Sequence, residues 1–190
     1  MPFTLRPARD TDIAALARLI PESVRGLSGG FYTPEQVESA LAHIFGVDTR
    51  LMDDGTYFVA EADGQIVGGG GWSRRTTLFG GDQRKAGSPD DLLDPATHPA
   101  RIRAFFVHPD WARRGIGRAL LAACESAAQA AGFQSLELVA TRPGEPLYTA
   151  CGFEVVERFD IPVSGGAPLP AARMAKELQD IQSSQFQVPS

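Results

Sequence analysis

Cysteine and histidine are scarce in this chain, and positive charge falls short of negative. Cys124 and Cys151, its 2 cysteines, stand in apolar stretches without C-x-x-C spacing. They read as small core residues in a reducing compartment rather than as a disulfide or a redox pair. The histidines His43, His98 and His108 lie far apart with no metal-ligand spacing, so no metal site is expected. Against 23 Asp and Glu there are only 18 Lys and Arg, a formal charge of −5. Binding a phosphate backbone by counterion release needs a surplus of clustered cations, so nucleic acid is not an expected partner. No apolar run is long enough for a signal peptide or a membrane span. No membrane partner is therefore expected, and the cytoplasm is the expected location.

What is present suffices for a sizeable core: 190 residues, of which 43% are hydrophobic. The 20 glycines and 14 prolines stay below the share that marks low complexity. A single domain is expected over residues 1–178, followed by a Gln/Ser-rich tail over 179–190 that reads as frayed.

Phe3 to Arg6 reads as a short strand, after which Asp10 or Thr11 can cap a helix with apolar positions at Ile13, Leu16, Ala17 and Ile20. Thr33, Pro34 and Gln36 form a capping box with proline at the first helical position, and Val37, Ala40, Leu41 and Ile44 supply its apolar stripe. Tyr57 to Ala62 and Gln65 to Trp72 alternate as strands, joined by Asp63-Gly64, the pair a type I′ hairpin turn prefers. The run Gly68 to Gly71 marks a bulge or a close backbone contact ahead of a ligand approaching the sheet. Ser73 to Ala100 is long, polar and aperiodic, the form of a lid, a binding loop or an insertion.

Strand character returns at Ile102 to Val107. An Ala-rich helix over Gly115 to Ala131 is stopped by Gly132, and Ser135 to Thr141 is a further strand, so a right-handed parallel crossover is expected. A short helix over Pro146 to Cys151 ends at Gly152, and Phe153 to Phe159 resumes as a strand. Leu169 to Leu178 is ambiguous: its alanines favour a helix, yet extended it would close the sheet.

The chemistry concentrates between Arg101 and Leu121, where a buried strand runs through a turn into a basic, glycine-containing loop that opens a helix. Free backbone N–H groups and the positive end of the helix then converge, which suits a pyrophosphate. Gly115 and Gly117 remove side chains from that point, and Arg113, Arg114 and Arg118 add charge. Taken alone, a solvated basic helix start reads equally well. Two familiar phosphate motifs fail here: Leu120 holds the place of the third small residue of a dinucleotide fingerprint, and no Gly-Lys-Ser/Thr exists for a P-loop.

Two segments in this order resemble the GNAT N-acetyltransferase superfamily. Ile102 to Leu121 resembles its acetyl-CoA signature around Arg113-Arg114-Gly115-Ile116-Gly117, and Leu147-Tyr148-Thr149-Ala150-Cys151-Gly152-Phe153 resembles its Tyr-x-x-x-Gly-Phe segment. One position departs: Ala112 stands where the signature usually begins with Gln or Arg. The resemblance implies an α/β (α+β) fold, a mixed, mostly antiparallel twisted sheet splayed between its fourth and fifth strands, with helices on both faces. It also implies acetyl-CoA as cosubstrate. Phe106 and Val107 would offer backbone groups to the pantetheine, with a free Val107 N–H polarising the thioester carbonyl as an oxyanion hole does. Arg113, Arg114, Gly115, Ile116, Gly117 and Arg118 would cradle the pyrophosphate.

By the same resemblance Tyr148 takes the place of the acid that protonates the departing thiolate. A phenol near pKa 10 and a thiol near 8.5 differ by about 2 kcal/mol, which a hydrogen bond can offset. A tyrosine buried for packing is the plainer alternative. No base transfers: many relatives carry a Glu on the fourth strand, and Arg103 to Val107 has no carboxylate. Glu61, Glu137, Glu145 and His108 are chemically able, but none is assigned. Phe31 and Tyr32 are candidate walls of an acceptor pocket, although Phe31 also suits a hydrophobic staple ahead of Thr33. The expected activity is transfer of an acetyl group from acetyl-CoA to a primary amine of a small molecule. The alternative is a non-catalytic acyl-CoA sensor on the same fold. The oligomeric state, monomer or homodimer, stays open.

Overall fold

A computed structural model describes residues 2–85, 87 and 89–179. Apart from Gln179, the expected tail lies outside the described residues. Seven strands form one sheet: β1 (Thr4–Pro7), β2 (Tyr57–Ala62), β3 (Gln65–Ser73), β4 (Ala100–Val107), β5 (Ser135–Thr141), β6 (Glu154–Ile161) and β7 (Leu169–Glu177), in the order β1-β2-β3-β4-β5-β7-β6. The helices are α1 (Ile13–Leu27), α2 (Pro34–His43), α3 (Thr49–Asp53), α4 (Asp82–Lys85), α5 (Ile116–Ala130) and α6 (Glu145–Ala150). Among the described residues no helix is long and apolar enough to cross a membrane.

Local chemistry sets several of these boundaries. Thr33 Oγ1 accepts the Gln36 N–H at 3.2 Å while Gln36 Oε1 accepts the Thr33 N–H at 2.9 Å, so both halves of the capping box form at the start of α2. Asp63 and Gly64 turn the β2–β3 hairpin with φ of 51° and 73°, both positive as a type I′ turn requires. At the start of α1 the structure departs from expectation. Asp10–Asp12 is a 3-10 turn, and the carboxylate that organises it belongs to Asp12, which accepts the Arg9 N–H and two bonds from Arg6. The buried stripe of α1 runs through Leu16, Leu19, Ile20, Ser23 and Val24, whereas Ala17 faces solvent.

Leu169–Glu177 is a strand despite its alanines, because it pairs antiparallel with β5 on one side and β6 on the other. Ladder bonds to two neighbours outweigh a helix propensity of a few tenths of a kcal/mol per residue. The helices α1, α2 and α3 cover one face of the sheet; α5 packs on the other against β2, β3 and β4.

The feature that positions a site is the single parallel pair. β4 and β5 are joined only at Ala100↔Leu136 and Arg101↔Glu137, and beyond those residues the two strands part towards their C-terminal ends. Every other pairing in the sheet is antiparallel. Of Ser73 to Ala100, expected as one long loop, Ser73 ends β3 and Ala100 begins β4, and between them lie the one-turn helix α4 and a bridge between Arg75 and Leu92.

The four glycines of β3 are packing glycines. A Cβ at Gly68 would lie 2.7 Å from Ile116 Cγ2, and one at Gly70 would lie 2.7 Å from the Phe105 ring. At Gly69 and Gly71 it would meet Tyr57, at 2.6 and 2.8 Å. None of the four borders the cavity described below.

Candidate functional site

Where β4 and β5 part, a cavity of about 800 Å³ passes through the sheet. Its size falls within the range of small-molecule sites. One mouth is the turn from β4 to α5, with Trp111, Ala112, Arg113, Gly115, Ile116, Gly117 and Arg118 in its wall. Arg113 and Gly115 adopt positive φ, 64° and 87°, which curls the backbone just before the first free N–H groups of α5. A side chain at Gly115 would meet no atom within 4 Å, so the glycine there serves the backbone turn and the open approach. Gly117 is different: a Cβ would lie 2.8 Å from Leu147 Cδ2, so this glycine also lets α6 pack on α5. Arg114 is not in the wall; its guanidinium stacks on Trp111, 4.8 Å from the ring centroid.

The β4 side of the gap follows from strand alternation. The His108 N–H bonds Val67 of β3, and Phe106 pairs with Gly69 of the same strand. Backbone groups alternate sides along a strand, so Phe105 and Val107 point into the gap. Phe106, expected to offer its backbone there, is thus committed to β3, although its side chain reaches the cavity wall. Nor is the Val107 N–H free: it donates to Ser23 Oγ of α1 at 3.1 Å. A bulge precedes these residues. Ala104 has φ of 56°, rare for a residue with a Cβ, and its carbonyl accepts the Tyr57 hydroxyl at 2.8 Å.

Across the gap stands Tyr148 of α6. Its ring meets Phe105 and Phe153 edge-on, with centroids 6.2 and 5.9 Å away. Burial pushes its phenol well above the usual tyrosine range, so the group stays neutral and keeps a proton that it can donate. It borders the cavity, and among the described residues its hydroxyl has no protein partner.

The far wall comes from the α1–α2 connection, the end of α2 and residues 78–81, with Phe31, Ile44, Phe45, Leu78 and Phe79 as its apolar members. Tyr32, expected beside Phe31, is turned the other way. Its ring is buried behind the wall, and its hydroxyl donates to the Pro170 carbonyl at 2.6 Å and accepts the Arg142 N–H at 2.9 Å. It braces the pocket and does not line it.

Sequence reasoning missed Arg103. From β4 its guanidinium pairs with Asp48 and donates to the carbonyls of Thr77 at 3.2 Å and Gly80 at 3.4 Å, while Asp48 also pairs with Lys85. This buried cluster ties residues 77–80 down beside the sheet. The signal in the sequence is a charged residue inside the apolar run from Ile102 to Val107.

The acids considered as bases are engaged elsewhere. Glu61 pairs with Arg6, Glu137 with Arg101 and Arg173, and Glu145 with Arg158, whose hydrogen bonds lower the Glu145 carboxyl below its ordinary range. The His108 ring lies 3.5 Å from Glu22. None of the four borders the cavity. The arrangement can hold a slender chain between β4 and β5, with an anionic end at α5 and a second reactant on the opposite side.

Comparison with known proteins agrees with that geometry. The family model described as acetyltransferase (GNAT) domain matches residues 53–155, a span that includes β4, the α5 loop and Tyr148. Among solved structures, a GCN5-related N-acetyltransferase from Rhodopseudomonas palustris is 24% identical with a TM-score of 0.69, covering 92% of this chain and 95% of that one. The PaiA N-acetyltransferase of Thermoplasma acidophilum, in complex with coenzyme A, is 18% identical with a TM-score of 0.64, covering 94% of this chain and 100% of that one. A phosphinothricin acetyltransferase from Sinorhizobium meliloti, in complex with AcCoA, is 23% identical with a TM-score of 0.63, covering 98% and 94%. At such identities these likenesses speak for the fold. Among curated proteins no match is found. With the family model spanning more than half of its length, the chain belongs to the GNAT acetyltransferase family.

Proposed function

We propose that this protein transfers the acetyl group of acetyl-CoA to a primary amine of a small molecule by direct attack on the thioester. The observation that carries this reading is the cavity between the parted strands, with Arg113, Arg118 and the start of α5 at one mouth and Tyr148 in its wall. Acetyl-CoA supplies an activated acyl carbon and a thiol leaving group. The residues present suit it: cations and free N–H groups at α5 for the pyrophosphate, and the backbone groups of Phe105 and Val107 for the amide-bearing arm.

The Val107 N–H would turn from Ser23 to the ligand, exchanging one hydrogen bond for another at little net cost. Tyr148 holds its proton in the same apolar surroundings that a departing thiolate would enter. Burial raises the thiol there as it raises the phenol, so the two groups stay closer in acidity than the phenol alone would indicate.

The non-catalytic acyl-CoA sensor is the second reading. Its support is that, among the described residues, no carboxylate or imidazole borders the cavity. Incubating the protein with acetyl-CoA and a panel of amines, with free thiol as readout, separates the two. Amine-dependent thiol release is expected. Binding of acetyl-CoA without such release would establish the sensor.

A further inference from the structure

We infer that the acceptor is a primary amine on an apolar, ring-sized body, taken up as the free base, and that polycationic amines are poor substrates. This rests on the acetyl-transfer reading above and concerns the wall opposite the α5 loop. Phe31, Ile44, Phe45, Leu78 and Phe79 present carbon surface there, and Phe45 is locked edge-on to Phe106 with centroids 6.0 Å apart. Such a surface gains by covering an aromatic or aliphatic body and loses by stripping water from a charged one.

The charge in the wall has the wrong sign for an ammonium. Among the described residues the charged side chains bordering the cavity are Arg103, Arg113 and Arg118. Arg103, the one nearest the apolar wall, is held in place by Asp48 and the carbonyls of Thr77 and Gly80, so it cannot swing aside. Between β3 and β4 the acids lie outside the wall: Asp82 accepts the Thr49 N–H at 3.1 Å, Asp90 the Thr77 N–H at 3.0 Å and Asp94 the Ala96 N–H at 3.0 Å, and among the described residues no carboxylate borders the cavity. An ammonium entering this space would lose its hydration at high cost and be repelled by the cations; the free base sheds its water far more cheaply and carries no charge for them to repel.

Selection of the neutral amine also removes the need for a base on the chain. The amine nitrogen bonds to the acyl carbon and the C–S bond breaks. The proton shed by nitrogen balances the one taken by the thiolate, giving one amide and one thiol with no other reactant. Among the described residues the charged or titratable groups facing this space are Tyr148, whose phenol burial raises, and the side chains of Arg103, Arg113 and Arg118. A rise of rate between pH 7 and 10 would then belong to the acceptor.

The test is thiol release by the full chain with acetyl-CoA and 2-phenylethylamine, benzylamine, phenylalanine, putrescine or spermidine. The expected result is a kcat/KM for phenylethylamine at least about tenfold above that for spermidine, rising with pH up to the acceptor's own pKa. Spermidine accepted as well or better overturns the inference and leaves acetyl transfer standing. Phenylalanine preferred over phenylethylamine also overturns it, pointing to a carboxylate seat beside Arg103, whose Nε has no partner among the described residues. Acetyl-CoA binding with no release for any amine overturns the acetyl-transfer reading itself. Phe31→Asp supplies a second arm: Phe31 is 47% exposed at the rim, so the fold tolerates the change. The variant should raise spermidine relative to phenylethylamine about tenfold, and an unchanged ranking would show that this wall does not choose the acceptor.

Discussion

Ser23 on α1 holds the backbone N–H of Val107 on β4 across the face of the sheet, at 3.1 Å. The bond occupies the group best placed on the gap side of β4 for a ligand. In Ser23→Ala that N–H keeps only water, so a ligand carbonyl no longer competes with a side chain. Acetyl-CoA affinity measured by calorimetry should tighten a few-fold. The same change should lower folding stability by about 1 kcal/mol for the lost hydrogen bond. Weakened binding would instead mean that Ser23 touches the ligand.

Arg113 and Arg118 border the α5 mouth, whereas Arg114 is stacked on Trp111. Replacing the first two together by alanine removes two charge-assisted contacts to a pyrophosphate. Each such contact contributes roughly 1.5–3 kcal/mol when well formed, so affinity should fall at least about a hundredfold. Arg114→Ala should change affinity little in isothermal titration, because its guanidinium lies outside the wall.

Tyr148→Phe should leave acetyl-CoA binding nearly intact while lowering kcat by about a hundred- to ten-thousand-fold where chemistry limits the rate. The pH dependence is specific. Burial raises the phenol above the ordinary tyrosine value near 10, so the protonated, donating form persists past that pH. The parent's kcat should therefore show no descending limb between pH 9 and 10 that the phenylalanine variant lacks. Equal turnover in both proteins would return Tyr148 to a packing role between Phe105 and Phe153.

How far the site could be read from the sequence depended on whether a feature is local. The Thr33 cap and the Asp63-Gly64 turn declare themselves within four residues, and both formed as read. Phe106 and Val107 stand together in the motif, yet neighbours in a strand point to opposite sides, and only ladder partners decide which side is which. Phe31 and Tyr32 divide in the same way, one facing the cavity and one bonded to Pro170 and Arg142 behind it. The Arg103–Asp48–Lys85 cluster joins three distant segments, and no spacing rule reaches across them. Leu169–Glu177 could be settled only by the strands on either side.

The glycine run of β3 yields a stability prediction. Gly70→Ala drives a Cβ to 2.7 Å from the Phe105 ring, opposite the bulge where Ala104 already holds a positive φ. The ring lies among Ala104, Tyr148 and the cavity, so it can yield only by disturbing the gap. A loss of about 1–3 kcal/mol is expected from overpacking, read as a lowered denaturant midpoint with unchanged slope. An alanine variant as stable as the parent would show that Phe105 relocates freely.

The segment that brings Leu78 and Phe79 to the cavity wall is rooted by an ion pair with a definite pH window. Arg75 donates from Nε and Nη2 to the two oxygens of Asp54, at 2.7 and 2.9 Å, and both side chains are mostly buried. Those bonds lower the Asp54 carboxyl below its ordinary value of 3.8. A carboxylate depressed in the folded state binds its proton more weakly there than in the unfolded chain. Its contribution to stability is thus complete above the unfolded value, near 4, and is lost as pH falls through the lower, folded value. In Asp54→Asn the paired charge is absent at every pH. At pH 6 the parent should exceed the variant by on the order of 1–3 kcal/mol in urea unfolding, a gap that shrinks progressively below pH 4. Subtracting one protein from the other removes the acids common to both, including Asp12, which Arg6 depresses in the same direction. A difference that stayed constant down to pH 2.5 would mean that the carboxylate charge does not carry the bond, and that Arg75 is held at its place by the Asp90 carbonyl instead.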